Sequence, residues 1–194
     1  MYNFELKDPS FLPHAGCEIE FSLKSSHGQL LVGENGVGKT TLLHRIWKQL
    51  STESSVVLVE QRPLDYFYDR KVGEIKKILL GMGQKNSLID VWNTLGLHEK
   101  EDRFFSTLSG GENQTVKLAT SLCLKASYYL LDEPSQFLDQ IRKKKLAEIL
   151  NQKIDEGSSV LIVEHNAQWL PQGFSVMEMI STDGWVKKGK TWIT

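Results

Sequence analysis

Two cysteines, five prolines, a formal net charge of −1 and no long apolar run are what this 194-residue chain shows in short supply. Each shortage closes off a class of protein. Cys17 and Cys123 stand in apolar surroundings with no second thiol or histidine at metal spacing, so both read as reduced core residues. No stretch approaches the roughly 18 consecutive apolar residues of a membrane span, so direct membrane insertion is not expected and any membrane role has to come through a partner. The opening MYNFELKDPS has no basic region followed by an apolar run, so no secretory signal is expected. A net charge near zero gives no electrostatic reason to expect nucleic acid, and the basic run Arg142 to Lys145 reads as the solvated face of a helix. Without repeats, low-complexity segments or linkers, residues 1–194 read as one globular unit with one sizeable core.

What is present is an alternation of strand-like and helix-like segments. CEIEFSL (Cys17 to Leu23) alternates apolar and polar residues, whereas QLLVG (Gln29 to Gly33), SVVLVE (Ser55 to Glu60), YYLLD (Tyr128 to Asp132) and SVLIVE (Ser159 to Glu164) are nearly continuous apolar runs. Such runs fit strands buried on both faces, as in a mainly parallel sheet covered by helices. Lys39 to Leu50, Glu112 to Lys125 and Asp139 to Glu156 have helical length and spacing. From Tyr66 onward the alternation breaks into VGEIKKILL and SLIDVWNTL, which predicts a helical lobe, about residues 66–125, inserted in an α/β core. The tail reads as paired strands around an Asp183-Gly184 turn, a small antiparallel part. The five tryptophans, Trp47 and Trp92 among them, read as packing.

One motif carries chemistry directly. Gly33, Glu34, Asn35, Gly36, Val37, Gly38, Lys39, Thr40 and Thr41 satisfy G-x-x-x-x-G-K-[ST] between a predicted strand and a predicted helix. Backbone N–H groups of such a loop turn inward around phosphates, and the following helix adds a favourable dipole. Lys39 then reaches the β and γ phosphates of ATP, and the Thr40 hydroxyl ligates Mg²⁺. YYLLDEP ends a buried strand on Asp132, suited to the metal's water shell, and Glu133 follows as the group that orients or deprotonates an attacking water. A second Gly-rich segment, LSGGENQ (Leu108 to Gln114), also resembles a phosphate cradle, and one chain has no obvious need for two.

The ordered set resolves that puzzle. The P-loop, EQRP with Gln61, LSGGENQ, YYLLDEP, SQFLD with Asp139 and IVEH with His165 together resemble the ATP-binding cassette (ABC) ATPases across about Phe11 to Lys190. The resemblance implies a P-loop NTPase of ABC type, two cassettes packed head to tail, and Ser109, Gly110 and Gly111 of one closing over the ATP of the other. The chemistry suits this: Ser109 donates a hydroxyl, Gly111 lets backbone approach an anion, and the helix behind them points its positive end at the phosphate.

Further roles follow from the resemblance alone. Gln61 is implied to sense metal and γ-phosphate and to hinge the lobe, His165 to contact the γ-phosphate and the water, and Asp139 to cross the dimer interface. An aromatic ahead of the P-loop is implied to stack on adenine; Phe11 has about the usual position, with Tyr2 and Phe4 as rivals. Phe137 replaces the family's usual small residue before Leu-Asp, and Asn113 is off-type in the signature.

The implied function is ATP hydrolysis at the cytoplasmic face of a membrane, powering a transporter whose permease is a separate chain. Leu64, Tyr66, Phe67 and Tyr68 offer an apolar and aromatic cluster for docking that subunit, or pack inside the lobe. The alternative is a soluble or membrane-associated ABC ATPase working on DNA, ribosomes or a complex. The segment from Gln61 to Ser109 is too short for the coiled coil or zinc insertion of DNA-maintenance members, and translation members usually carry two cassettes. The partner cassette is a second copy or a different chain.

Overall fold

The computed structural model describes residues 4–12, 17–61, 65–82, 85–165, 168–170, 173–179 and 186–188. In chain order come strands β1 (Phe4–Leu12), β2 (Cys17–Leu23) and β3 (Gly28–Gly33), helix α1 (Lys39–Leu50), β4 (Val56–Val59), α2 (Val72–Gly81), α3 (Lys85–Thr94), α4 (Gly110–Leu122), β5 (Tyr128–Asp132), α5 (Gln140–Asp155), β6 (Ser159–Val163), β7 (Ser175–Met179) and β8 (Val186–Lys188). Short 3-10 turns at Asp65–Phe67, His98–Lys100 and Phe105–Thr107 punctuate the helical stretch.

Six strands form the main sheet in the order β4-β5-β6-β3-β7-β8. The first five run parallel and β8 is antiparallel to β7. β1 and β2 form a separate antiparallel pair. The α/β architecture with a mainly parallel sheet and a small antiparallel part is therefore as the sequence predicts. The tail differs in one respect: β7 is a full parallel member of the main sheet, paired with β3 from Gln29↔Ser175 to Gly33↔Met179, before β8 turns back against it. Asp183 and Gly184, the predicted turn, lie outside the described residues.

The apolar runs are buried because each strand feeds two cores. On one face Leu31, Leu130, Leu161 and Val163 meet Leu42, Leu43, Ile46 and Leu50 of α1. On the other, Leu30, Tyr129, Leu131, Val160 and Ile162 meet α4 through Val116 and Ala119, and α5 through Leu146 and Leu150. The alternation along one strand, Tyr129 and Leu131 one way and Leu130 the other, is the period-2 geometry that sends successive side chains to opposite faces. Each fully buried Leu, Ile or Val contributes about 1.5–3 kcal/mol relative to exposure. The second core runs on without a break into Val72, Ile75, Leu88, Val91 and Trp92 of α2 and α3. Trp92 is completely buried, and its indole N–H donates to Glu101 at 3.1 Å. Trp47, by contrast, is 38% exposed, a correction to its reading as packing: it follows the buried Ile46 on α1 and turns outward.

Cys123 is buried and free, and burial pushes its thiol up to about 11, which removes thiolate reactivity near neutrality. Among the described residues no helix is long and apolar enough to cross a membrane.

Candidate functional site

Because β3, β4, β5 and β6 are parallel, their carboxyl ends share one edge of the sheet, the place where open α/β sheets present ligand sites. Gly33 ends β3, Gln61 follows β4, Asp132 ends β5 and His165 follows β6. Four segments far apart in sequence thus converge.

From β3 the chain enters the loop Glu34 to Gly38, in which Glu34, Asn35 and Gly36 are exposed and Val37 is buried. Gly38, the residue before α1, holds φ at 102°, a left-handed conformation that a side chain resists. Gly38 offers α1 no capping side chain and no acid stands in its first turn, which leaves its leading N–H groups to the loop and to an anion bound there. Lys39 is 6% exposed, and its Nζ donates to the carbonyls of Gly33 at 2.7 Å and Glu34 at 2.8 Å, closing the loop over its own backbone. Burial lowers its pKa, opposed by the nearby Glu133 and Asp132 carboxylates. Thr41 is exposed beside it.

Thr40 Oγ1 donates to Asp132 Oδ2 at 2.8 Å, joining the start of α1 to the end of β5. Asp132 is 3% exposed and its other oxygen, Oδ1, is buried without a hydrogen-bond partner. Burial raises the Asp132 pKa, opposed by the Thr40 hydrogen bond and by the charges of His44 and Lys39 and reinforced by the Glu133 carboxylate. A hydroxyl, a carboxylate with an orphaned oxygen and the side-chain amide oxygen of Gln61 are hard oxygen donors, the set that suits Mg²⁺. Gln61 is exposed at the edge.

Glu133 sits with φ at 46°, and its N–H donates to the Val163 carbonyl at 2.9 Å. A left-handed conformation in a non-glycine residue costs about 1–3 kcal/mol and persists where surrounding structure enforces it, commonly at functional positions. Its carboxylate lies 2.7 Å from His165 Nε2. Neighbouring Glu164, which sequence reasoning did not single out, is 5% exposed and accepts the Ser135 N–H at 2.9 Å, with its pKa raised by burial. The only sequence signal for it was an acid ending an apolar strand.

Ser109, Gly110 and Gly111 stand elsewhere, at the head of α4, which starts at Gly110 rather than at Glu112. Ser109 Oγ accepts the Glu112 N–H and the Ser109 N–H donates to Glu112 Oε2 at 2.9 Å, a reciprocal capping box. Lys100 at 2.9 Å and Arg103 at 3.1 Å pair with the same carboxylate. The Ser109 N–H, then Lys100, hold Glu112 down at about 2. Ser109 and Gly110 face solvent, and among the described residues no hydrogen bond joins the signature to the P-loop. Asp139 caps α5 by accepting the Arg142 N–H at 2.8 Å and pairs with the Arg142 guanidinium. Phe137 is 70% exposed with φ at 63°, and its carbonyl faces Gly111 so closely that a Cβ there would lie 2.5 Å from it.

The aromatic cluster after Gln61 divides. Tyr66 and Tyr68 are 71% and 58% exposed, Phe67 packs in the core, and Leu64 lies outside the described residues. Phe104, also exposed, was not singled out in the sequence. Of the adenine-stacking candidates, Tyr2 lies outside the described residues, and Phe4 and Phe11 are described only in backbone, as part of β1.

A family model described as "ABC transporter" matches residues 17–136. A putative ABC transporter ATP-binding protein of Archaeoglobus fulgidus is 30% identical over 179 residues, covering 77% of this chain; the chain spans 60% of that relative's length. The solved ATP-binding subunit of an ABC transporter superposes with a TM-score of 0.74 at 19% identity, over 90% of this chain and 82% of that one. An archaeal ribosome recycling factor, aABCE1, solved with a ribosomal stalk protein, gives 0.69 at 26% identity, over 85% of this chain and 38% of the other.

Proposed function

The chain belongs to the ABC transporter family, and on that premise we propose that it binds and hydrolyses ATP, pairing head to tail with a second cassette, as the nucleotide-binding subunit of a membrane transporter. The observation that carries this reading is the convergence of Lys39, Thr40, Asp132, Glu133 and His165 on one sheet edge. Residues 66–125 act in it as the lobe of a single cassette spanning residues 1–194.

Lys39 leaves its two loop carbonyls for the β and γ phosphates, which replace them as acceptors while the loop N–H groups turn to the same oxygens. Thr40, Asp132 and Gln61 are the residues that would hold Mg²⁺, whose charge offsets that of the phosphates when bound. Glu133 orients a water in line with the γ-phosphorus and takes its proton as the oxygen attacks; the bond to the β-γ bridging oxygen breaks and ADP leaves. His165 fixes the Glu133 carboxylate and reaches the γ-phosphate. Ser109 and Gly110, both solvent-facing, serve the partner's nucleotide together with the Gly111 N–H, and Asp139 lies beside that contact.

Tyr66, Tyr68 and Phe104 supply the exposed aromatic surface for a separate permease at the cytoplasmic face. Copurification tests this: Glu133→Gln protein, tagged, trapped with ATP in its native cells and recovered from solubilised membranes, is expected to bring a stoichiometric multi-span protein. Recovery only from the soluble fraction contradicts the transporter role.

One observation favours a second reading. The ribosome recycling factor is 26% identical to this chain, against 19% for the transporter subunit. A soluble cassette acting on ribosomes would appear in the same experiment as ribosomal protein and RNA in place of a permease.

A further inference from the structure

Helix α4 grips the core along one face at three successive turns. Gly111 abuts the Phe137 carbonyl. One turn on, Gln114 Nε2 donates to the carbonyl of Pro134, the residue after Glu133, at 3.0 Å. Another turn on, Lys117 Nζ donates to the carbonyl of Glu60, the residue before Gln61, at 2.7 Å. Gln114 and Lys117 are each 7% exposed. The helix whose head presents Ser109 is thereby fastened to the backbone beside Glu133 and Gln61, two of the residues assigned to the chain's own nucleotide.

Lys117 is the costly member of this set. A buried ammonium loses several kcal/mol of hydration, which is recovered only through good partners. Burial lowers its pKa, and the Glu60 and Asp132 carboxylates oppose that. Glu60 also reaches His44 of α1 at 3.2 Å, so the β4 end is held from both faces of the sheet. An apolar residue would fill the same space on α4 without the desolvation cost.

We infer that Lys117 is a positioning residue for hydrolysis: it locks the strand end bearing Gln61 to the helix bearing Ser109, so that groups serving the chain's own ATP and the partner's ATP move together. The inference rests on the head-to-tail reading above. Lys117 stands about 12 Å along a rigid helix from Ser109, so a shift at the Glu60 carbonyl is carried to the signature as a movement of the whole rod. Without the ammonium, the Gln114 grip still docks α4, while Gln61 is released from it.

Lys117→Met keeps the stem and removes the cation; Lys117→Arg keeps cation and donors. The monomer of Lys117→Met is expected to bind ATP within about threefold of wild type while kcat falls about tenfold or more and KM changes little, the pattern of an interaction needed in the reaction rather than for binding. Lys117→Arg should recover most of that loss, and Lys117→Met placed in Glu133→Gln should prevent the ATP-dependent dimer. In nucleotide-free protein, amide exchange over residues 58–61 should accelerate in Lys117→Met. Wild-type kcat in Lys117→Met, or equal impairment in Met and Arg variants, overturns the inference. The exchange readout needs no hydrolysis. If wild-type protein proves inactive, the functional reading fails by itself, and unchanged exchange in Lys117→Met still removes the lock.

Discussion

His165 Nε2 lies 2.7 Å from a Glu133 carboxylate oxygen, across the ends of neighbouring strands β5 and β6. The pairing fixes the direction of a carboxylate whose own backbone is held at a left-handed φ of 46°. On the proposed mechanism Glu133 is the general base, and the contact with His165 would aim it. His165→Ala is expected to lower kcat by about 10²-fold or more with ATP affinity nearly unchanged. Steady-state kinetics beside equilibrium nucleotide binding separate the two; an unchanged kcat would remove His165 from the mechanism.

Mixed variants test the sharing of sites. On the proposed reading, Lys39→Ala should remove a subunit's own P-loop function, and Ser109→Ala should damage what it would lend to its partner. Each homodimer should be inactive, whereas their heterodimer retains one complete site and should trap ATP there. No trapping above the separate variants would contradict closure between chains.

Glu112 gives a pH prediction. Its folded pKa of about 2 lies below the ordinary 4.5, so its contribution to stability is full above 4.5 and disappears as pH falls toward 2. Glu112→Gln keeps an acceptor for the Ser109 N–H but loses the charge that pairs with Lys100 and Arg103. Urea unfolding between those pH values should show a shallower dependence in the variant, and parallel curves would contradict the assignment.

Gly111 is required for a reason of space. A Cβ there would stand 2.5 Å from the Phe137 carbonyl, and backbone cannot yield as a side-chain tip can. Gly111→Ala should cost about 1–3 kcal/mol in chemical unfolding and impair the ATP-dependent dimer. Wild-type stability would mean that the loop at Phe137 moves freely.

Legibility followed the range of the interactions. The P-loop motif lies in one short stretch, and α1 begins and ends at the residues the sequence predicts because Gly38 and the apolar spacing of Leu42, Leu43 and Ile46 are local signals. The apolar runs of β5 and β6 announced strands buried on both faces. The Lys117–Glu60 contact was not legible, since it joins residues 57 apart and Lys117 has the composition of an exposed helix position. Phe137 was noticed as off-type, yet its left-handed backbone and the contact with Gly111 are tertiary facts. Trp47 misled because size and apolarity favour burial on average, while helix phase decides the individual residue.

The central claim is that ATP closes two of these cassettes around it and that Glu133 then breaks the γ-phosphate bond. The most direct test is the mass of Glu133→Gln in solution, by light scattering during size exclusion, with and without Mg²⁺ and ATP. The account predicts a stable dimer with ATP that is absent without nucleotide, together with strongly slowed turnover. A monomer under both conditions, or hydrolysis at the wild-type rate, would contradict it.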